Sequence, residues 1–177
     1  MAGQLEAFNR LVELYQDYLF AMTVRLVRER DLAEDAVQDA FFSAYRNLER
    51  FSGPSFRGWL TRIALNAAKD ILRKRRRRPS EPYPEWEDDS WQPPAPGSEG
   101  PEQLTLVGQQ RAALAGAMAG ITGDQRTAII LFDVQGYDYA EIAALTGVSV
   151  GTVKSRIHRG RLALRETLGP AMELFRG

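Results

Sequence analysis

The sequence predicts an all-α protein made of two small helical domains. Apolar residues recur every three or four positions through most of the chain, which is the spacing of one helix face, and no stretch alternates like a strand. Residues 79–100 interrupt this pattern with prolines and acidic residues and contain no basic residue. We therefore expect helical domains over residues 1–78 and 101–177, the second with a helix-turn-helix, joined over residues 79–100 by an extended Pro-rich acidic linker.

Three helices account for the first domain. The first should run from Gln4 to about Val27. Asp31 is a candidate N-cap for the second, because Glu34 follows three residues later as in a capping box. Ser55 can cap the third, which ends in a run of six basic residues, 73–78. The expected inner faces comprise Phe8, Leu11, Tyr15, Leu19, Met22 and Leu26, then Ala33, Val37, Ala40, Phe41, Ala44, Leu48 and Phe51, and finally Trp59, Ile63, Ala67 and Ile71.

The second domain should be a run of short helices. Its first helix begins at Pro101, since proline suits the first helical turn, and runs towards Ala119. Two capping boxes mark the starts of the next two helices, and Gly136 ends the first of these near Gln135. The boxes pair Thr122 with Gln125 and Asp138 with Glu141, and the latter opens a helix from Tyr139 to Thr146.

Residues 139–159 have the pattern of a helix-turn-helix. Gly147 permits a left-handed turn, and Ala143 is the small residue where the two helices cross. Ser149 can cap the second helix and leave its first amides pointing outward, an arrangement suited to phosphate. The apolar residues expected to lock the two helices are Ile142, Leu145, Val148, Val153 and Ile157.

The second helix of this motif has two distinct faces when projected at about 100° per residue. Its outer face is small, polar and cationic, which a DNA major groove accepts. An ordinary helical hairpin with a solvated charged face is the alternative, and Leu162, which also falls outside, has no explanation in either interpretation. The outer face contains Gly151, Thr152, Ser155, His158 and Arg159, with Lys154 and Arg156 on its flanks.

The formal net charge of zero conceals a partition along the chain. Residues 1–78 have 15 basic and 10 acidic residues, residues 79–110 have seven acidic and no basic ones, and residues 111–177 have eight basic and six acidic ones. Two basic segments therefore flank an acidic one, and such asymmetry is informative about binding partners.

Composition excludes several classes of function. The chain has no cysteine, and its one histidine, His158, cannot build a metal site alone, so we expect no metal and no cofactor. No glycine-rich phosphate loop or nucleophile–base set is present, so we expect no catalytic residue and no enzyme. No apolar run approaches the roughly 20 residues that cross a bilayer, and no signal pattern opens the chain. We therefore expect a cytoplasmic protein without membrane insertion.

Three segments resemble bacterial RNA polymerase sigma factors. Residues 31–45, DLAEDAVQDAFFSAY, resemble the polymerase-binding helix. Residues 56–78, FRGWLTRIALNAAKDILRKRRRR, resemble the helix that engages the minus-ten promoter element. Residues 152–161, TVKSRIHRGR, resemble the reader of the minus-thirty-five element. Because the segments occur in the family's order and are joined by one linker, nearly the whole chain resembles the two-domain extracytoplasmic-function group.

The resemblance implies three sets of site residues. One set matches positions that contact the coiled coil of the largest polymerase subunit, and the loop 51–56 corresponds to the one that captures a flipped minus-ten base. The polymerase-binding set is Asp35, Gln38, Asp39 and Phe42. The minus-ten set is Ser52, Pro54, Ser55, Phe56, Arg62, Asn66, Lys69 and Arg73. The minus-thirty-five set is Ser149, Gly151, Thr152, Lys154, Ser155, Arg156 and Arg159.

The function implied is promoter recognition by a sigma factor, with core RNA polymerase, promoter DNA and an anti-sigma factor as partners. The alternative is a stand-alone helix-turn-helix regulator, which explains residues 139–159 but not residues 31–78. A sigma-like decoy that sequesters a regulator would be expected to have a damaged reading helix, yet Thr152, Lys154, Ser155 and Arg156 are intact.

Overall fold

The computed structural model describes residues 2–77 and 101–175, and the regular elements within these two ranges are all helical. The all-α prediction is therefore confirmed, while the expected linker, residues 79–100, lies outside the described residues. The chain divides into two compact units. The first contains α1 (Ala2–Val27), α2 (Arg30–Arg46) and α3 (Phe56–Arg77), and the second contains α4 (Pro101–Gly120), α5 (Gly123–Ile129) and α7 (Val150–Leu168), with α6 (Tyr139–Thr146) between α5 and α7 in the chain.

Alanines on α2 allow close packing in the first unit. α2 contacts both α1 and α3, and four alanines on it are fully buried. The absence of bulk at these positions lets the larger side chains of the neighbouring helices fill the core. As predicted, α1 buries Phe8, Leu19, Met22 and Leu26, while Leu11 and Tyr15 are half-buried. The alanines are Ala33, Ala36, Ala40 and Ala44.

The predicted start of α2 is wrong. α1 ends at Val27, as expected, but Arg28 has a φ of 67° and Glu29 is extended, and α2 begins at Arg30. Asp31 consequently lies in the first turn of α2 and not at its N-cap. Glu34 forms an i,i+4 ion pair with Arg30 at 3.0 Å, which replaces the expected capping box.

The buried face of α3 is rotated by about one residue from the predicted one. The predicted residues Trp59, Ile63, Ala67 and Ile71 are all half-buried. α3 packs against both α1 and α2, so its core face is wider than a single apolar stripe and includes a threonine. Thr61 is accommodated there because its hydroxyl lies 3.0 Å from the hydroxyl of Tyr18. The fully buried residues of α3 are Leu60, Thr61, Ala64, Leu65 and Ala68.

The second unit begins its helices where the sequence predicts. Both capping boxes form, with N–H···O distances of 3.1 and 3.3 Å between Thr122 and Gln125 and of 2.8 Å in each direction between Asp138 and Glu141. Gly136 ends the preceding segment with a φ of 73°, as expected. After α5 the backbone continues as one π-helical turn, Ile130–Val134, which the sequence pattern did not predict.

A buried arginine closes the end of α4. Arg126 on α5 is only 8% exposed, and its guanidinium donates to the carbonyl oxygens of Met118 at 3.0 Å and Ile121 at 3.3 Å. The last carbonyls of a helix have no intrahelical partner, so Arg126 satisfies groups that would otherwise be buried without hydrogen bonds.

Candidate functional site

The turn between α6 and α7 has the predicted geometry. Gly147 has a φ of 72°, and the backbone N–H of Val148 donates to the carbonyl of Ala143 at 3.2 Å. The hydroxyl of Ser149 accepts from the backbone N–H of Thr152 at 3.1 Å and so caps α7. The glycine and the serine therefore fix where α7 begins and in which direction it leaves the turn.

α7 separates into an inner and an outer face. Val153, Ile157 and Gly160 are buried, as the projection predicts. The predicted DNA-binding residues all lie away from this face, but they differ in exposure. Gly151, Lys154 and Arg159 are exposed together with Ser149 and His158, whereas Thr152, Ser155 and Arg156 are half-buried. Leu162 is 49% exposed, which confirms its outward placement.

Two arginines of α7 form ion pairs with the segment that precedes α6. Arg156 pairs with Asp124 in the first turn of α5. Arg161 pairs with Asp133 in the π-helical turn, where its Nε lies 3.2 Å from Oδ2, and this hydrogen bond raises the pKa of the guanidinium. Arg161 also lies over the ring of Phe132, 5.2 Å from its centroid. Both guanidinium groups are therefore held by acids on the neighbouring helical segment.

The remaining cations of α7 have different surroundings. The ammonium of Lys154 lies 5.5 Å from the centroid of the Tyr139 ring, which stacks on Phe132 at 4.8 Å. Within residues 2–77 and 101–175, neither Lys154 nor Arg159 forms an ion pair. The sequence shows where cations occur on the helix, but it does not show that Arg156 and Arg161 have acidic partners while Lys154 and Arg159 do not.

The predicted minus-ten loop lies beside a cluster of aromatic rings. Ring centroids of Phe51, Phe56 and Trp59 are 5.2 to 5.6 Å apart, and Tyr15 of α1 lies 5.5 Å from Phe56. Residues 52–55 are exposed next to this cluster. Phe51 and Phe56 contact each other edge-on, so they form one wall together with Trp59 and do not face each other across an open slot.

Polar side chains extend from this loop along α3. Arg62, Asn66 and Arg73 are exposed and Lys69 is half-buried, and their spacing of three and four residues puts them on one helix face. Arg73 forms an ion pair with Asp70 at 3.1 Å. Ser55 is engaged in capping, since its hydroxyl accepts from the N–H of Gly58 at 3.1 Å, which confirms the predicted N-cap of α3.

The predicted polymerase-binding residues lie along the exposed side of α2. Asp35, Gln38 and Asp39 are exposed, and 56% of Phe42 is exposed beside them. Asp35, Gln38 and Phe42 also line a groove of about 880 Å³ between α1 and α2. The other side of this groove, which the sequence analysis missed, is formed by α1 residues Leu5, Phe8, Asn9, Val12, Gln16, Asp17 and Phe20.

The described residues form neither a metal-binding cluster nor a membrane-spanning helix. In those parts of the chain, no group of three or more acidic or histidine side chains is placed to hold a metal ion. In the same parts, none of the helices combines the length and the apolarity that a membrane span requires.

A capped helix-turn-helix with a cationic outer face, together with a basic helix that follows an exposed loop, defines a DNA-binding protein. Comparison with known families specifies the class further. Residues 11–78 match the family model for sigma-70 region 2, and residues 111–164 match the model for sigma-70 region 4. The chain belongs to the extracytoplasmic-function (ECF) group of RNA polymerase sigma factors, and it directs RNA polymerase to promoters.

Similar proteins cover most of the chain. It is 38% identical to the ECF RNA polymerase sigma-E factor of Escherichia coli strain K12 over 172 residues, covering 95% of this chain and 90% of that protein. It is 37% identical to the RNA polymerase sigma-H factor of Pseudomonas aeruginosa over 174 residues, with 96% and 90% covered. It is 35% identical to the ECF sigma factor SigE of Mycolicibacterium smegmatis over 164 residues, which are 93% of this chain but 62% of that protein.

Solved structures agree with this assignment. The sigma factor RpoE of Bartonella quintana, crystallised with the anti-sigma factor NepR, has a TM-score of 0.71 at 30% identity, covering 93% of this chain and 98% of that one. The structure of CnrH with the cytosolic domain of CnrY has a TM-score of 0.66 at 26% identity, covering 96% and 92%.

Proposed function

We propose that residues 101–177 read the minus-thirty-five promoter element through α7, while residues 1–78 dock on core polymerase through α2 and engage the minus-ten element through the loop 51–56 and α3. The observation that carries this proposal is the outer face of α7, which begins at the Ser149 cap and exposes Gly151, Lys154, His158 and Arg159. Residues 79–100 serve as the connection between these two activities.

Recognition of the minus-thirty-five element is suited to the first three turns of α7. The Ser149 cap leaves the amides at the start of the helix directed outward, where they favour phosphate. Thr152 and Ser155 carry short hydroxyls that can approach base edges, while Lys154 and Arg159 are long cations that can reach the backbone on either side. A helix with this arrangement can enter a major groove without burying an uncompensated charge.

Engagement of the minus-ten element is suited to the loop beside the aromatic cluster. Phe51, Phe56 and Trp59 present ring surface next to exposed small residues, and bases stack on aromatic side chains at a gain of about 1–3 kcal/mol each. Arg62 and Asn66 follow on the exposed face of α3, where they can hold the sugar–phosphate chain of a strand that leaves the loop. The loop and α3 together therefore help to hold melted DNA.

Docking on polymerase uses the exposed side of α2 and the groove beside it. Phe42 supplies exposed apolar area, and Asp35, Gln38 and Asp39 surround it with acidic and amide groups. A central aromatic with a polar rim is the usual anatomy of a protein interface. The α1 side of the groove extends this surface, so that a partner helix contacts both helices.

The protein acts by binding and has no catalytic step of its own, and its place of action is the cytoplasm, where polymerase and promoters are. The RpoE and CnrH structures contain NepR and a CnrY domain respectively, the former named as an anti-sigma factor. We include an anti-sigma factor among the partners of this chain on that basis.

The decisive experiment is run-off transcription with bacterial core polymerase on a genomic promoter library, with and without this chain. We expect new start sites that share two spaced upstream elements. If the chain binds core polymerase but produces no starts, it is a decoy. If it binds DNA but neither binds polymerase nor produces starts, it is a stand-alone regulator.

The docking surface is tested by Phe42→Ala, for which Leu14→Ala is the matched control. Leu14 is 69% exposed on α1 and does not line the groove. We expect the Phe42 variant to lose about 1–2 kcal/mol of affinity for core polymerase, or about 5–30-fold, and the Leu14 variant to bind normally. Equal affinity of both variants would remove α2 from the interface.

A further inference from the structure

We propose that Asp124 is a positioning residue that makes α7 selective by holding Arg156 away from DNA phosphates. The proposal rests on the proposed role of α7 as the reading helix. Asp124 is an acidic residue of α5 that lies outside the sequence motifs. In this proposal Arg156 has a different role from the cations of α7 that bind the DNA backbone.

α5 and the turn after it lie alongside α7 and place Asp124 close to Arg156. Asp124 near the start of α5 meets Arg156, and Asp133 beyond its end meets Arg161, so the two segments run side by side in the same direction. Between these pairs the helices approach closely, because Gly160 faces Ile129 with no side chain of its own. The start of α5 is fixed by the Thr122 capping box. Asp124 is therefore held at a defined place beside α7.

The burial of the pair shows that Arg156 is held against the protein. The side chain of Arg156 is only 25% exposed, whereas that of Asp124 is 58% exposed. A carboxylate is favourable in the first turn of a helix because it interacts with the free amides and the helix dipole. Asp124 is thus a stable anchor, and the guanidinium is drawn towards α5 and not outward from α7.

The Asp124–Arg156 ion pair lowers the number of cations that α7 offers to DNA phosphates. Contacts between cationic side chains and phosphates supply most non-specific affinity, and each one steepens the salt dependence of binding. Lys154 and Arg159 are exposed and form no ion pair in the part of the chain that the structure describes. With Arg156 neutralised by Asp124, α7 offers these two cations to the backbone in place of three, which limits its affinity for DNA of any sequence.

The chain contains a matched control for this pair. Arg161 and Asp133 form the same kind of ion pair five residues further along α7, which is about 8 Å farther from its N-terminus. Five residues also turn the helix by about 140°, so release of Arg161 would place a free cation on a different side of α7 from Arg156. Asp133→Asn should alter stability as Asp124→Asn does, without the same effect on DNA binding.

The test measures the salt dependence of binding of the full chain to two duplexes, one of non-specific sequence and one carrying the upstream element recovered by run-off transcription. For Asp124→Asn we expect the slope of log K against log salt concentration to steepen by about 0.9 on the non-specific duplex. The ratio of specific to non-specific affinity should fall several-fold. Asp124→Glu should restore the wild-type values, and Asp133→Asn should keep them.

A double variant shows whether the effect acts through Arg156. Asp124→Asn combined with Arg156→Gln removes both charges of the pair, so it should return the slope on the non-specific duplex to the wild-type value. A slope that Asp124→Asn does not change, or one that stays about 0.9 steeper in the double variant, would overturn the proposal. If run-off transcription recovers no shared upstream element, the proposed role of α7 is itself wrong, and this is seen before any variant is compared.

Discussion

Replacing Gly160 by alanine tests the close packing of α5 against α7. A Cβ built at Gly160 would lie 2.6 Å from Cδ1 of Ile129 and 3.2 Å from Cβ of Gln125. Ile129 is buried at 6% exposure, so its side chain has little room to move away. Gly116, in the last third of α4, is the matched control, because a Cβ there would have no atom within 4 Å.

Gly116→Ala and Gly160→Ala should change the free energy of unfolding in opposite directions. Alanine in place of glycine inside a helix is worth up to about 1 kcal/mol, and Gly116→Ala should stabilise the protein by about that amount. At Gly160 the same gain is opposed by overpacking, which costs about 1–3 kcal/mol. We therefore expect Gly160→Ala to lower the free energy of unfolding by about 0–2 kcal/mol and the two variants to differ by about 1–3 kcal/mol.

The measurement is urea unfolding followed by far-ultraviolet circular dichroism, combined with hydrogen exchange of the α7 amides. Tryptophan fluorescence is unsuitable, because the three tryptophans are at positions 59, 86 and 91, which all precede α4 in the sequence. Ile129→Val removes the closest atom, so in that background the cost of Gly160→Ala should shrink by about 1 kcal/mol. If Gly160→Ala stabilises the chain as much as Gly116→Ala does, the close contact does not exist.

Three further predictions concern single side chains. Arg126→Met should destabilise the second unit by about 2–4 kcal/mol, because it leaves buried carbonyl groups of the α4 end without donors, and urea unfolding should show this loss. Ser149→Ala should cost about 0.5–2 kcal/mol of α7 stability while Ser149→Asp retains most of it, as hydrogen exchange of the first α7 amides would report. Ala40→Leu should destabilise the first unit by at least about 1–3 kcal/mol, since Ala40 is fully buried between helices, and a thermal melt at or above the wild-type midpoint would contradict this.

Local signals in the sequence predicted the fold best where they act over short distances. The capping boxes at Thr122 and Asp138 and the left-handed glycines at 136 and 147 formed as expected, because each depends on residues within one turn. The start of α2 was predicted wrongly because of the backbone at Arg28. Arg28 adopts a positive φ, which a non-glycine residue rarely does, and its residue type does not predict this.

Features set by tertiary packing were predicted less well. Periodicity placed α3 about one residue out of phase, because a helix that packs on two neighbours buries more than one stripe and admits Thr61 through its contact with Tyr18. Arg126 looks like any surface cation in the sequence, and only the position of the α4 end makes it a buried donor. The inner and outer faces of α7 were predicted correctly, but which of its cations meet Asp124 and Asp133 depends on how α5 lies against it.

Gly160 links the stability of the second unit to its proposed selectivity. The absence of a side chain there lets Ile129 approach α7, and this approach is what brings the start of α5 within reach of Arg156. A side chain at position 160 would push the two helices apart and lengthen or break the ion pair before it unfolded the unit. We therefore expect Gly160→Ala to steepen the salt dependence of non-specific DNA binding in the same direction as Asp124→Asn. Because Gly116→Ala changes stability without moving α5, any effect of Gly160→Ala on that slope reports the spacing of the helices and not their stability.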